Sequence, residues 1–217
     1  MSLLTRIDRI FRLAAANRCP AWLRRFYARR RIASLPQPMR LHIGCGDNYF
    51  AGWVHLDMNP LLPNVDALWH SSDGLPCATG TCEFIYSEHF LEHLSVAEGQ
   101  QFLSECYRAL RPGGVVRIAM PDLRESVAQY YENRWREQPW LEKYGYAWIQ
   151  TGAEYLNIAM RDWGHQWLYD REELRRRMRD VGFTTIHDCD WGVSAVPELC
   201  QRETRRETTL ICEATRT

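Results

Sequence analysis

No run in the 217 residues approaches the roughly 18 consecutive apolar side chains of a membrane-spanning helix, so none is expected. The N-terminus shows neither the apolar core nor the small-residue cleavage site of a secretory signal. Eight cysteines are scattered without one C-x-x-C pair, which argues against a disulfide framework or a cysteine zinc knuckle. Reduced thiols in a cytoplasmic protein are the expectation. Net charge is missing too, with 27 basic residues against 27 acidic ones. That balance hides an asymmetry: residues 1–40 hold ten arginines and a single acid, Asp8. The leader therefore carries about +9 and residues 41–217 about −9, a distribution that argues against a nucleic-acid reader. What is present is apolar content, 46% with 12% aromatic, enough for the core of one α/β domain.

The chain is organised around Leu41 to Asp57, LHIGCGDNYFAGWVHLD. A short apolar run breaks into Gly44-Cys45-Gly46, and a second run, Val54 to Leu56, ends in Asp57. Glycines let backbone N–H groups approach a ligand, and an acid at a strand tip can accept from ribose hydroxyls. Downstream, Val65 to Trp69 reads as a short third strand closing in His70 to Pro76. Phe84-Ile85-Tyr86 reads as a buried strand ending in Ser87-Glu88-His89, with a helix bearing Phe90, Leu91 and Leu94 directly after it. Ser95 and Glu98 form a capping box for a helix that stops at Arg111-Pro112-Gly113-Gly114. Val115 to Met120 is the next strand, leading to Pro121-Asp122. Asp170 with Glu173 caps a helix stopped by Gly182, and strands follow at Thr184 to Asp188 and Thr208 to Glu213. The alternation implies right-handed βαβ units and a mostly parallel sheet, whose ligands sit at the carboxyl ends of the strands. Gly44, Asp57, Asp73, Ser87 and Asp122 all fall at such ends.

The order LHIGCG, HLD, LP, FIYSEHFLEHL and FLSECYRALRPGGVVRIAMPDL resembles the class I S-adenosylmethionine-dependent methyltransferases. It looks most like a bacterial subgroup linked to surface-polysaccharide assembly, whose C-terminal part the segment WGHQWLYDREELRRRMRDVGF also resembles. The resemblance spans about residues 39–215. It implies a Rossmann-like α/β fold, a mostly parallel seven-stranded sheet with helices on both faces and a helical, aromatic lid over about 123–169. It further implies that Gly44, Cys45 and Gly46 line the methionine and ribose portion of S-adenosylmethionine. Asp57 would take the ribose hydroxyls and Met58 the adenine face. Ser72 or Asp73 would approach the adenine amino group, Leu75 its ring, and Ser87 and Glu88 would lie beneath the sulfonium. Three departures stand out: His42 replaces the usual acid, the third glycine is absent, and Gly46 to Val54 is too short for a crossover helix. The last also weighs against a nicotinamide dehydrogenase, whose pyrophosphate rests on a helix N-terminus.

His89-Phe90-Leu91-Glu92-His93 also spells H-x-x-E-H, an inverted zinc-protease motif, but at a strand end rather than within a helix. The segment is also similar to the small-RNA and ubiquinone O-methyltransferases, whose E-x-x-E-H pattern can hold a divalent ion. That resemblance implies a metal-assisted methyltransferase using His89, in place of the first acid, with Glu92 and His93, and His165 as a fourth donor. The favoured reading has no metal, the histidine of L-E-H packing locally. Residues 130–169 carry eleven of the 26 aromatics, suiting a lid over a saccharide or other small acceptor, a homodimer interface or a subcore. His89, His165 and Asp122 are the candidates to deprotonate or orient an alcohol acceptor. A cofactor-binding module without turnover is the remaining alternative. Leu3 to Arg31 reads as basic amphipathic helices that either touch an anionic membrane surface or pack on the domain, followed by a linker to residue 38.

Overall fold

The computed structural model describes residues 20–217; the expected helical segment before Pro20 lies outside them. Seven strands form one sheet: β1 (Met39–Ile43), β2 (Val54–Asp57), β3 (Ala67–Leu68), β4 (Cys82–Glu88), β5 (Leu110–Met120), β6 (Thr185–Asp188) and β7 (Leu210–Thr215). Their order is β3-β2-β1-β4-β5-β7-β6, parallel except for β7, which runs against both neighbours. The chain leaves β1 towards β2 on one side and later returns to β4 on the other. The switch point, where such sheets bind ligands, is thus between β1 and β4.

Side chains alternate between two faces, and the faces differ in kind. One carries Leu41, Ile43, Ile85, Val116, Ile118 and Cys212 into the main core. Three helices cover it: α1 (Ala21–Ala33) through Ala28 and Ile32, α2 (Val96–Ala109) through Phe102, Leu103 and Cys106, and α6 (Arg171–Asp180) through Leu174 and Met178. The α2 start is the reciprocal capping box of Ser95 and Glu98, and Asp170 caps α6 by accepting from the Glu173 N–H.

The opposite face carries His42, Tyr86, Glu88, Arg117 and Glu213, all buried. Helices were expected on both faces. Among the described residues, this second one is covered by Phe50 and Trp53 from the short β1–β2 connection and by Trp191, Val196 and Leu199 from the chain before β7. Loops can cover a sheet only if buried charges are matched, and here Arg117 and Glu88 are. Arg117, 0% exposed, donates to Glu203 Oε1 at 2.6 Å, Glu213 Oε1 at 2.7 Å and the Val193 carbonyl at 2.9 Å. Glu203 Oε2 in turn accepts from the Gly192 N–H at 2.9 Å.

Two local expectations change. The helix expected after Phe90 is one 3₁₀ turn, Leu91–His93, because Leu94 is already extended and Ser95 starts the next cap. The third strand shrinks to Ala67–Leu68. The aromatic insertion forms α3 (Leu123–Tyr131), α4 (Trp140–Lys143) and α5 (Gly152–Arg161), with a small core of Trp135, Trp140, Leu141, Ile149 and Tyr155.

Arg117→Ala strands two buried carboxylates and should cost about 3–5 kcal/mol, read as a lower urea midpoint. An apolar replacement of all three residues at similar volume should cost far less.

Candidate active site

At the switch point Ile43 pairs with Leu56 and Ser87, so the tips of β1, β2 and β4 are level. The chain turns sharply after β1, its Gly44 and Cys45 N–H groups donating to the Leu56 carbonyl at 2.9 and 3.3 Å. Gly44 has φ +62° and no room for a side chain, since a Cβ would stand 2.8 Å from the Phe90 ring. Gly46 has φ +52° and open space about it, as a turn that must admit a ligand requires. Asp57 faces this turn, Oδ2 accepting from the Gly46 N–H at 3.0 Å and Oδ1 from Asn59 at 2.8 Å. One lone pair on each oxygen remains for ribose hydroxyls. Met58 is 65% exposed beside it, and the buried Ser87 Oγ has no protein partner. Burial, then the Asp57 charge, push the Cys45 thiol up to about 12, so it is a packed side chain there and not a nucleophile.

Three residues expected around the cofactor are engaged elsewhere. Asp73 accepts from Arg24 Nε at 2.5 Å and from Arg25 Nε at 3.1 Å, facing α1 and not an adenine. Leu75 is buried in the main core, its N–H donating to Glu105 at 2.8 Å. Glu88 accepts from the Thr204 N–H, the Thr204 and Thr208 hydroxyls and the Arg205 N–H, all within 3.1 Å. It ties the chain before β7 to the tip of β4. Ser72 remains at the same turn, its hydroxyl 2.9 Å from His70 Nδ1. His42 is also explained: it stacks on Phe50 at 4.4 Å, and burial, then the charges of His55 and Arg202, hold it down to about 3. A neutral ring fills the aromatic face where an acid would be desolvated.

Beyond β4 and β5 lies a cavity of about 750 Å³ that brings His89, Asp122 and His165 together. Trp140, Tyr144, Tyr155 and Trp163 wall it, with Gln129, Gln138 and Lys143 among them. Arg205, Arg206 and Glu207 close the other side. These three and Lys143 were missed in the sequence; the only signal was a charged run between two strands. His89 sits in the left-handed region at φ +50°, with a polar neighbour beside each ring nitrogen. Nε2 lies 3.1 Å from Thr208 Oγ1, whose own proton goes to Glu88, and Nδ1 lies 3.3 Å from Glu92 Oε1. Asp122 caps α3 by accepting from the Arg124 N–H at 2.8 Å, and burial raises its carboxyl above the ordinary value. His165 gives its Nδ1–H to the Ala159 carbonyl at 2.9 Å, so in the neutral ring Nε2 is the acceptor.

A nucleoside crevice at the β1/β4 switch point, beside a walled cavity at the same strand ends, defines a group-transfer enzyme on a Rossmann-like sheet. A family described as a methyltransferase domain matches residues 15–188, and the chain belongs to it: it is an enzyme that uses S-adenosylmethionine. The fold is similar to that of a SAM-dependent methyltransferase from Archaeoglobus fulgidus, at 18% identity and TM-score 0.50, covering 85% of this chain and 78% of that one. It is also similar to a Thermotoga maritima protein described as a possible histamine N-methyltransferase, at 18% identity and TM-score 0.51, covering 91% and 89%. No curated protein matches the chain.

The Asp73 clamp gives a pH test. Burial pushes its carboxyl up, but the hydrogen bonds from Arg24 and Arg25 outweigh this and hold it below 3.8. The stability it lends is therefore full above its unfolded value of 3.8 and fades as the pH falls through the depressed one. Asp73→Asn should cost about 1–2 kcal/mol at neutral pH and flatten that acid limb in urea titrations.

Proposed function

We propose that the chain methylates an oxygen of a saccharide or other small acceptor held in the cavity beside Asp122. The observation that carries this reading is the cavity itself: aromatic faces suited to sugar C–H surfaces, interrupted by amide and charged groups suited to hydroxyls. Gly44 and Gly46 would cradle the cofactor with backbone groups, Asp57 would hold its ribose, and Ser87 would offer the unpartnered hydroxyl at the tip of β4. The bound cofactor supplies an activated methyl carbon. The protein's part is to align the acceptor in line with it and keep water away.

Asp122 is the base in this reading. His89 is engaged by Thr208 through Nε2 and serves as an orienting group, whereas Asp122 lines the cavity with a carboxyl made more basic by burial. Its acid limb in kcat lies above 3.8, because the carboxyl must be ionised to accept a proton. Asp122→Asn keeps the α3 cap and should lower kcat about 10²–10⁴-fold with KM little changed. Calorimetric titration with S-adenosylmethionine, followed by methyl transfer to a saccharide panel, tests the whole reading. Asp57→Ala should weaken cofactor binding at least about tenfold, as loss of charged hydrogen bonds requires. Binding unchanged by Asp57→Ala removes the crevice assignment, and turnover only with non-saccharide acceptors removes the acceptor assignment.

A second reading concerns location. Among the described residues no helix is long and apolar enough to cross a membrane. Yet α1 exposes Trp22, Phe26 and Tyr27 beside Arg25, Arg29 and Arg30, the mixture that binds anionic bilayer surfaces. The full chain should float with anionic vesicles, and Trp22→Ala with Phe26→Ala should abolish flotation; equal flotation with neutral vesicles overturns it.

A further inference from the structure

Glu92, His93 and His165 lie 73 residues apart in sequence at most, and backbone bonds lace their two segments together. The Glu92 carbonyl accepts from the Gln166 and Trp167 N–H groups at 2.8 and 3.2 Å, and Gln166 Nε2 donates to the His93 carbonyl at 2.7 Å. The lacing brings one carboxylate oxygen and two imidazole nitrogens within 4.8 Å of one another at the cavity wall. Glu92 is 1% exposed, and neither of its oxygens has a well-aligned hydrogen-bond donor. His89 Nδ1 at 3.3 Å and His93 Nε2 at 4.0 Å are the imidazole nitrogens that approach it. A buried carboxylate left in this state is costly, and a bound cation removes the cost.

One of the imidazoles is oriented as a metal ligand is. His165 donates Nδ1–H to the Ala159 carbonyl at 2.9 Å, while His93 Nε2 lies 4.0 Å from Glu92 Oε1. His165 therefore has one nitrogen fixed by a backbone carbonyl and the other free to coordinate, an arrangement that sets tautomer and aim. Trp163, between them, is held at φ +55°, a conformation that a large side chain adopts only under constraint from its surroundings.

We propose that Glu92, His93 and His165 bind one divalent first-row transition ion in the cavity wall. Two neutral nitrogens and one carboxylate suit Zn²⁺, Co²⁺, Mn²⁺ or Fe²⁺ better than Mg²⁺ or Ca²⁺, which prefer oxygen donors throughout. Bond lengths near 2.0–2.2 Å require only small side-chain rotations that draw the three donors together. His93 and His165 both line the cavity, so the open positions face it and are available to an acceptor oxygen. That last role rests on the methyl-transfer reading above; the binding of the ion does not. The helix-face pairing of His89 with His93 plays no part, since Leu91–His93 is a 3₁₀ turn and His89 is turned towards Thr208.

The test is Co²⁺ titration of the tag-free chain, stripped by chelator, followed by calorimetry and by visible absorption. One Co²⁺ per chain is expected, with affinity falling at least about tenfold in Glu92→Gln and in His165→Ala. S-adenosylmethionine titration of the same samples reports separately on the crevice, so failure of one reading leaves the other standing. Should either variant misfold, Mn²⁺ added to the wild-type chain should broaden the imidazole resonances of His93 and His165 before that of His187, which lies exposed on β6. Absence of one-to-one binding, affinity unchanged in both variants, or equal broadening of all histidines overturns the site.

Discussion

The site depends on how the second face of the sheet is closed. No helix follows β1, so a face that a parallel sheet ordinarily buries under helices is closed by a long connection between β6 and β7. Two charged side chains hold that connection down. Arg117 binds Glu203 and Glu213, and Glu88 gathers donors from Thr204, Arg205 and Thr208. Charged hydrogen bonds in a low-dielectric interior are stiff and direction-specific, which loop packing alone is not. Arg205, Arg206 and Glu207 stand where they do because Glu88 fixes the residues on either side of them.

The acceptor side is built by the same logic with backbone groups. The insertion has its own aromatic core, but it is the Glu92 carbonyl and the Gln166 amide that set its height above the strand tips. His89 lies where these two systems meet, reaching Thr208 on one side and Glu92 on the other. Its left-handed backbone is the point at which β4 is bent to serve both.

Much of the frame was legible because it is local. Alternating apolar runs, the Ser95 and Asp170 caps and the Gly44–Gly46 turn each depend on residues a few positions apart, and periodicity reports such things directly. The destinations of buried charges are not local. Glu88 reads as a carboxylate at a strand end, but its partners come 116 to 120 residues later. Asp73 reads as an adenine contact until α1 is seen to supply two arginines from 48 and 49 residues earlier. Arg117 passed unremarked inside the apolar run VVRIAM, although a charge there demands a buried counter-charge. His165 stood in the sequence beside His89, Glu92 and His93 as a fourth donor; the fold keeps Glu92, His93 and His165 within 4.8 Å of one another.

The span of the Glu88 bonds has a consequence for synthesis. A ribosome adds roughly 5–20 residues each second, so Glu88 precedes Thr208 by on the order of ten seconds. During that interval β1, β4 and β5 can pair, but the second face has only Phe50 and Trp53 over it, and Arg117 and Glu88 lack their partners. The nascent domain is therefore a half-clad sheet carrying unpaired charges, and it becomes an enzyme only as its last strand emerges. A chain that ends before β7 leaves β5 without its antiparallel neighbour and Arg117 without Glu213.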